Sequence, residues 1–215
     1  CVLVSGTIGL QHASMAIYQA FLGQSPVIVL IGREDFGARQ QHTADDIAGM
    51  VRSYTKWDAT PETLEETLDA LQEAYRQAMT PPMAPVVVVL DAEIQKQEAG
   101  DVQVPRLPPP VLEGVSDADA ERIADRLVAA TNPRMNVGRL RTPEGIDRAV
   151  ELAELVGASV QTRATFGPMS FPQTHALCGP GADENYDYVL GLERPGTHAS
   201  IQNPSVRAFD DRDLM

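Results

Sequence analysis

Two unbroken apolar runs, at residues 26–32 (PVIVLIG) and 85–90 (PVVVVL), constrain the fold of this chain most. Each run has the length of one strand, and neither alternates apolar with polar residues. A strand without alternation is buried on both faces, as in a parallel sheet that lies between two layers of helices. The apolar run at residues 1–4 predicts another buried strand, and helical spacing over residues 13–21 predicts a helix between the two. We therefore expect a β-α-β arrangement and an α/β fold.

Two further helices are predicted before the second apolar run. Residues 44–54 predict one helix, after a polar loop over residues 33–42. The next is predicted to begin at Thr60, because a threonine followed by proline at the first helical position is a favoured helix start. Apolar residues then recur every three or four positions along it, at Leu64, Leu68, Leu71, Tyr75 and Ala78. This spacing predicts one face packed against the sheet.

Composition divides the chain into two units. Residues 93–112 are rich in Gln, Gly and Pro and predict a semi-rigid linker between a first domain over residues 1–92 and a second over residues 113–215. In the second, Ser116 and Asp119 predict a capping box, and Thr142 with Gly157 predicts the two ends of another helix. Strands are predicted over residues 134–138, 159–162 and 186–192. We expect two open, parallel-sheet, three-layer units, the second Rossmann-like and with about half the strands that such a domain usually has.

Charge and motifs exclude several classes of function. The chain has 17 Lys and Arg against 30 Asp and Glu, a net charge of −13 that would repel nucleic acid. Its apolar runs are too short to span a membrane, and its two cysteines fit a reducing cytoplasm. The four histidines are too dispersed for a zinc site. No glycine fingerprint for a dinucleotide, no P-loop and no nucleophile elbow is present in the sequence.

The turn after the first strand is the candidate binding site that the residues themselves suggest. Gly6 and Gly9 allow the backbone to approach a ligand closely, and a helix that begins here offers unpaired N–H groups. A tight turn alone explains these glycines equally well. Gln11 and His12 could donate hydrogen bonds to a ligand, or they are ordinary polar residues at a helix start.

Several strings of residues, in the same order and spacing, resemble one enzyme family. Those of the first unit are GTIGLQHA at residues 6–13, YQAF at 18–21, SPVIVLIG at 25–32, YTKWD at 54–58 and AYRQAMTPPMAPV at 74–86. They resemble the pyrimidine-binding domain of thiamine-diphosphate-dependent enzymes of the acetolactate synthase and benzoylformate decarboxylase type. In the second unit, NP at residues 132–133, the helix over 146–156, FPQTHAL at 171–177 and YDYVL at 186–190 resemble the central domain of that family.

This resemblance implies a cofactor site but no catalytic residue on the chain. By alignment with the family motifs, the cofactor-facing residues are Gly9, Gln11, His12 and Thr43. His12 stands where the family usually has Asn, and Thr43 where it usually has Gln. The family's activating glutamate belongs before Cys1, and its diphosphate and Mg²⁺ domain belongs after Met215, so we expect both to be missing here. Some relatives hold FAD in the central domain, but the sequence gives no support for it.

The resemblance also implies an activity for the parent protein. We expect a fragment of a 2-oxo acid decarboxylase or carboligase, inactive by itself, that uses thiamine diphosphate and Mg²⁺ when complete. Partners are expected to be a small 2-oxo acid and, in the complete enzyme, further copies of the chain in a homodimer or homotetramer. The alternative is a non-catalytic regulatory or interaction module of the same ancestry.

Overall fold

The computed structural model describes residues 1–33, 44–102, 106–111, 114–163, 167, 169–179, 185–193 and, as backbone, 206–209. The chain divides into two compact units, Cys1–Val111 and Leu112–Met215. Residues 106–111, at the end of the first unit, form neither helix nor strand.

The first unit is built on a four-stranded parallel sheet with strand order β1-β2-β4-β3. Its strands are β1 Val2–Ser5, β2 Ile28–Arg33, β3 Trp57–Ala59 and β4 Val86–Asp91. Its helices are α1 Gly6–Leu22, α2 Leu64–Met79 and the single turn α3 Ala92–Gln95, with two 3₁₀ turns at Ala48–Met50 and Arg52–Tyr54. The two long apolar runs of the sequence thus become the neighbouring strands β2 and β4.

Helices cover both faces of this sheet. Alternate strand residues point to opposite faces, so Ile31 and Val89 pack with Leu10 of α1, while Val88 packs with Ala74 of α2. The buried hydrophobic residues of α2 are small, at Ala70, Ala74 and Ala78. Their spacing of four places them in one row, which lets the helix lie close to the strands. The predicted three-layer α/β architecture is confirmed in this unit.

The second unit has a four-stranded sheet with order β6-β5-β7-β8. Its elements are α4 Asp117–Ala129, β5 Pro133–Val137, α5 Pro143–Val156, β6 Ser159–Gln161, β7 Tyr188–Leu192 and β8 Val206–Phe209. Strands β6, β5 and β7 are parallel, as expected, whereas β8 pairs antiparallel with β7 and was not predicted. Both α4 and α5 pack on the face of the sheet that carries Met135 and Leu190.

Local capping chemistry sets the helix ends of the second unit, as the sequence predicted. The Ser116 hydroxyl accepts a hydrogen bond from the Asp119 N–H at 3.2 Å, and the Thr142 hydroxyl accepts one from the Gly145 N–H at 3.1 Å. Helix α5 ends at Gly157 with φ of 65°, a left-handed conformation that glycine adopts at low cost.

Three expectations for the first unit were wrong. Residues 44–54 contain turns and two short 3₁₀ segments instead of one α-helix, since the Asp46 carboxylate accepts a hydrogen bond from the Gly49 N–H and competes with helical pairing. The cap of α2 is Thr63, not Thr60, because the Thr63 hydroxyl accepts from the Glu66 N–H at 3.1 Å. Strand β1 is not buried: it lies at one edge of the described sheet, and Leu3 is 72% exposed.

Candidate functional site

The carboxyl ends of β2 and β4 are joined by an ion pair. Arg33 and Asp91 are the last residues of these strands and lie opposite each other in the register. Their Nη2 and Oδ2 atoms are 3.4 Å apart, and both side chains are largely buried. Ligands of open α/β sheets bind outside this edge of the strands. The pair therefore marks the edge at which a ligand of this unit is expected.

Helix α1 begins at the same edge with an uncapped N-terminus. Its N-cap residue, Ser5, makes no capping hydrogen bond through its side chain, and its first turn carries no acidic residue. The other described α-helices are all capped by a side chain, from Thr63, Asp91, Ser116 and Thr142. The first N–H groups of α1 thus remain as hydrogen-bond donors at the positive end of a helix, where an acceptor is favoured.

Close packing brings α1, β2 and α3 together around these donors. A Cβ atom on Gly6 would lie 3.4 Å from the Gly32 carbonyl oxygen, and one on Gly32 would lie 3.5 Å from the Gln95 side-chain nitrogen. Gln95 in turn donates a hydrogen bond of 2.8 Å to the Leu90 carbonyl oxygen. A side chain at either glycine would thus be in ordinary van der Waals contact with its neighbour, and the edge includes a polar side chain, Gln95, that the sequence did not single out.

The first turn of α1 also binds the backbone at Ala44. The Ala44 N–H donates a hydrogen bond of 2.7 Å to the Thr7 hydroxyl oxygen. Ala44 is the residue after Thr43, one of the predicted cofactor-facing residues, and Thr43 itself lies outside the described residues.

The other predicted site residues all lie on α1, on different sides of it. Gly9 packs on the last residue of β1: a Cβ atom there would lie 2.6 Å from the Ser5 hydroxyl oxygen. Gln11 and His12 are exposed to solvent, near Ile8, and neither has a hydrogen-bond partner among the described residues. The structure thus brings Gly9 to the strand ends and leaves Gln11 and His12 on the outer face, and their roles in binding stay predictions.

Arg33, Asp91 and Gln95 are the residues of this edge that the sequence did not identify. The signal was present for two of them, because Arg33 and Asp91 directly end the two apolar runs. Two buried parallel strands that end in opposite charges predict an ion pair at their common edge. Gln95 gave no comparable signal, since its place depends on the turn α3.

Strand β1 and helix α1 present an exposed apolar surface. Helix α1 has no Asp, Glu, Lys or Arg over its 17 residues. Its side chains Ile8, Met15 and Tyr18 are exposed, as are Val2 and Leu3 of β1. A surface of this kind on a soluble domain is typical of an interaction site. Leu3 points to the opposite face of the sheet from Val2, so we call the other four residues, Val2, Ile8, Met15 and Tyr18, the β1–α1 surface.

The described part of the chain contains neither a cluster of metal ligands nor a helix that could span a membrane. No group of three or more His, Cys, Asp or Glu side chains there could hold a metal ion. No described helix combines the length and apolar character that crossing a membrane requires.

Comparisons with known proteins point to one group of enzymes. The chain is 24% identical, over its whole length, to the mitochondrial acetolactate synthase catalytic subunit of Aspergillus candidus, of which it spans 31%. Among solved structures, it is similar to a Mycobacterium smegmatis protein provisionally assigned as a thiamin diphosphate-dependent enzyme, with 26% identity and a TM-score of 0.64. It also has the fold of benzoylformate decarboxylase from Polynucleobacter necessarius, with 22% identity and a TM-score of 0.70. No family model matches the chain.

These matches identify the kind of fold to which the chain is similar. The alignments cover 89% of this chain and 40% and 38% of the two solved chains, so the α/β folds of this chain are similar to part of each of those chains. Together with the sequence match to acetolactate synthase, these likenesses make the chain similar to part of a thiamine-diphosphate-dependent enzyme. It spans about a third of the length of its curated relative.

Proposed function

We propose that the first unit forms the pyrimidine-binding part of a thiamine-diphosphate-dependent decarboxylase or carboligase that acts on a 2-oxo acid. The uncapped N-terminus of α1 beside the Arg33–Asp91 pair carries this proposal. It places N–H donors where the ring nitrogen atoms of an aminopyrimidine could accept hydrogen bonds. Gly9, Gln11, His12 and Thr43 are the residues proposed to face the cofactor.

The described residues fit one half of the cofactor better than the other. Backbone donors and small residues at the start of α1 suit a flat, polar heterocycle. The diphosphate half needs a cation such as Mg²⁺, and the described residues contain no group that could hold one. We therefore propose that Mg²⁺ and the diphosphate are held by another part of the complete enzyme.

This fit indicates what the cofactor and the chain each contribute to the reaction. Bound thiamine diphosphate supplies the nucleophilic carbon that attacks the carbonyl group of the 2-oxo acid. This chain contributes the binding and orientation of the pyrimidine ring, and it has no proposed acid, base or nucleophile of its own. By itself it is expected to have no turnover.

Assembly with a second copy is part of the same proposal. The β1–α1 surface is apolar and exposed, next to the proposed cofactor site. Burial of this surface against another subunit would remove apolar area from water and stabilise a homodimer or homotetramer. The same surface supports the second candidate function, a non-catalytic interaction module that pairs with a complete enzyme.

The proposal is tested by nuclear magnetic resonance of the ¹⁵N-labelled chain. The ligand is 4-amino-5-hydroxymethyl-2-methylpyrimidine, the pyrimidine half of thiamine, which removes the need for a metal site. We expect saturable shifts of the Gly6, Thr7 and Ala44 amide signals, and none in the second unit. Thiamine diphosphate with Mg²⁺ is expected to bind the chain within about threefold of this fragment, a difference below about 1 kcal/mol.

A matched pair of variants locates the site on α1. Gln11→Ala is expected to weaken binding of the pyrimidine several-fold, whereas Gln19→Ala, an exposed glutamine two turns further along the helix, leaves it unchanged. Absence of saturable shifts at the start of α1 would overturn the proposed cofactor site. If the chain also forms a stoichiometric complex with a complete enzyme of this family, the interaction module is favoured.

A further inference from the structure

The second unit contains an open apolar groove, separate from the edge described above. It has a volume of about 290 Å³ and lies between α4 and α5, with β7 as its floor. All of its lining residues are Ala, Val, Ile or Leu. Leu127 and Leu190 are buried at its base, while Val128 on α4 and Leu155 on α5 are 79% and 81% exposed. The groove is therefore a pair of exposed apolar walls over a buried floor.

One helix beside the groove carries a ridge of carboxylates. Asp117, Glu121 and Asp125 follow one another at spacings of four along α4, and all three are exposed. Glu121 and Asp125 directly follow the lining residues Ala120 and Ala124, so they stand about 100° further around the helix, on the side that also carries the exposed lining residue Val128. Like-charged side chains at this spacing repel each other. We call these three residues the acidic ridge.

No described residue neutralises the acidic ridge. None of its three carboxylates has a hydrogen bond or ion pair with a described residue. On the neighbouring helix α5, Glu151 pairs with Arg148 at 2.6 Å and Glu154 lies 3.2 Å from His175, whereas Glu144 and Asp147 in its first half have no partner among the described residues. Negative charge that is not compensated therefore lies on the α4 side of the groove.

Size and charge together select the kind of occupant. The volume is at the lower end of the range of about 300–1,000 Å³ for small-molecule sites, and the lining offers no polar group to orient a small ligand. A second copy of this chain would bring a net charge of −13 against the acidic ridge. Apolar side chains on a positively charged scaffold complement both features.

We propose that this groove docks an amphipathic helix of a partner protein, whose apolar residues at i, i+3 or i+4, and i+7 enter the groove and whose Lys and Arg residues face the acidic ridge. Recognition of a helix by a hydrophobic groove is a general mode of protein association. Here the groove supplies the affinity and the ridge supplies orientation and selection against acidic partners. The proposal concerns the second unit alone and does not depend on cofactor binding by the first.

The probe is a synthetic, fluorescein-labelled helical peptide of about 16 residues, long enough to form a helix, with Leu on one face and Lys on the other. Its binding to the full chain is measured by fluorescence anisotropy at about 150 mM salt, where long-range attraction is screened. Two peptides serve as controls: one with Glu in place of every Lys, and one of the same composition in an order that has no apolar face. We expect both controls to bind at least about tenfold more weakly.

Variants of exposed residues then locate the contact. Val128→Gln and Leu155→Gln should each weaken binding of the Lys peptide at least about fivefold, which is about 1 kcal/mol, without loss of helical circular dichroism. Glu121→Gln with Asp125→Asn should weaken it by a similar factor. Glu65→Gln with Asp69→Asn, the same change at the same spacing on exposed positions of α2, should leave it unchanged.

Four results would overturn the proposal. The first is equal binding of the peptide without an apolar face, which would mean attraction to the net charge alone. The second is an equal loss in the α2 control pair, and the third is binding of the Glu peptide as tight as that of the Lys peptide. The fourth is self-association of the chain that Val128→Gln abolishes in sedimentation, because the groove would then hold a second copy.

Discussion

The Lys56 ammonium group donates a hydrogen bond of 2.6 Å to the carbonyl oxygen of Thr80, the residue at which helix α2 ends. The same group lies 3.4 Å from the Pro82 carbonyl oxygen in the loop that leads to β4. Burial lowers the pKa of Lys56, as expected for a cation taken partly out of water. One side chain therefore contacts carbonyl groups at the end of a helix and in the loop that follows it.

Replacement of this side chain tests how much the contact contributes. Lys56→Met keeps most of the apolar stem but leaves the carbonyl groups without their charged donor, and we expect it to lower the free energy of unfolding by about 1–3 kcal/mol. The measurement is urea denaturation at neutral pH. Lys96→Met is the control, because Lys96 pairs with Glu93 on an exposed surface and such pairs contribute about 0–1 kcal/mol. Equal losses of unfolding free energy in the two variants would show that the Lys56 contact contributes no more than an exposed ion pair.

Local chemistry explains which parts of the fold the sequence predicts. Strands β2 and β4 are encoded by runs of β-branched and aliphatic residues that fit only a strand covered on both faces. The caps Ser116 and Thr142 need only a partner three residues away, and the end of α5 needs only a glycine. Each of these features depends on neighbours in the sequence, so a single chain suffices to identify it.

Features that depend on contacts between residues far apart in the sequence are not predicted in this way. The start of α2 had two candidate caps, and Thr63 is used because its hydroxyl reaches the Glu66 N–H. Arg33 and Asp91 are 58 residues apart, and their pairing follows from the register of β2 on β4. For the candidate site, the sequence identified the turn at the start of α1, but it did not give the rotation of the helix that leaves Gln11 and His12 exposed.

The Tyr188 side chain is buried in the second unit. The side chain is 4% exposed, and its hydroxyl oxygen has no hydrogen-bond partner among the described residues. A buried polar group in this state costs free energy. Tyr188→Phe is therefore expected to leave the free energy of unfolding unchanged or to raise it by up to about 1 kcal/mol. Tyr54→Phe is the contrast, because the Tyr54 hydroxyl forms a 2.5 Å hydrogen bond with Ser14, and its loss should cost about 1 kcal/mol.

The same residue makes stability depend on alkaline pH. Burial raises the pKa of Tyr188, and the nearby Arg126 and Arg122 offset this only in part. A tyrosine of the unfolded chain ionises near pH 10, so above that pH the unfolded state loses this proton before the folded state does. Stability present below about pH 10 is then lost as pH rises. The Tm of Tyr188→Phe and of the native chain is measured at a series of increasing pH values. The Tm of the variant should exceed that of the native chain by a growing amount as pH rises. A constant difference in Tm would contradict the raised pKa of Tyr188.

Gly9 has two explanations, packing and cofactor binding, that a double-mutant cycle separates. A Cβ atom on Gly9 would lie 2.6 Å from the Ser5 hydroxyl oxygen, which makes no capping hydrogen bond. In a helix, alanine is favoured over glycine by about 1 kcal/mol, so Gly9→Ala alone should be nearly neutral as contact and propensity oppose each other. In the Ser5→Ala background the contact is gone, and Gly9→Ala should raise the free energy of unfolding by about 1 kcal/mol. Additive effects in urea denaturation would rule out the packing explanation. If Gly9 faces the cofactor, Gly9→Ala should weaken binding of the pyrimidine ligand in both backgrounds, even where it stabilises the fold.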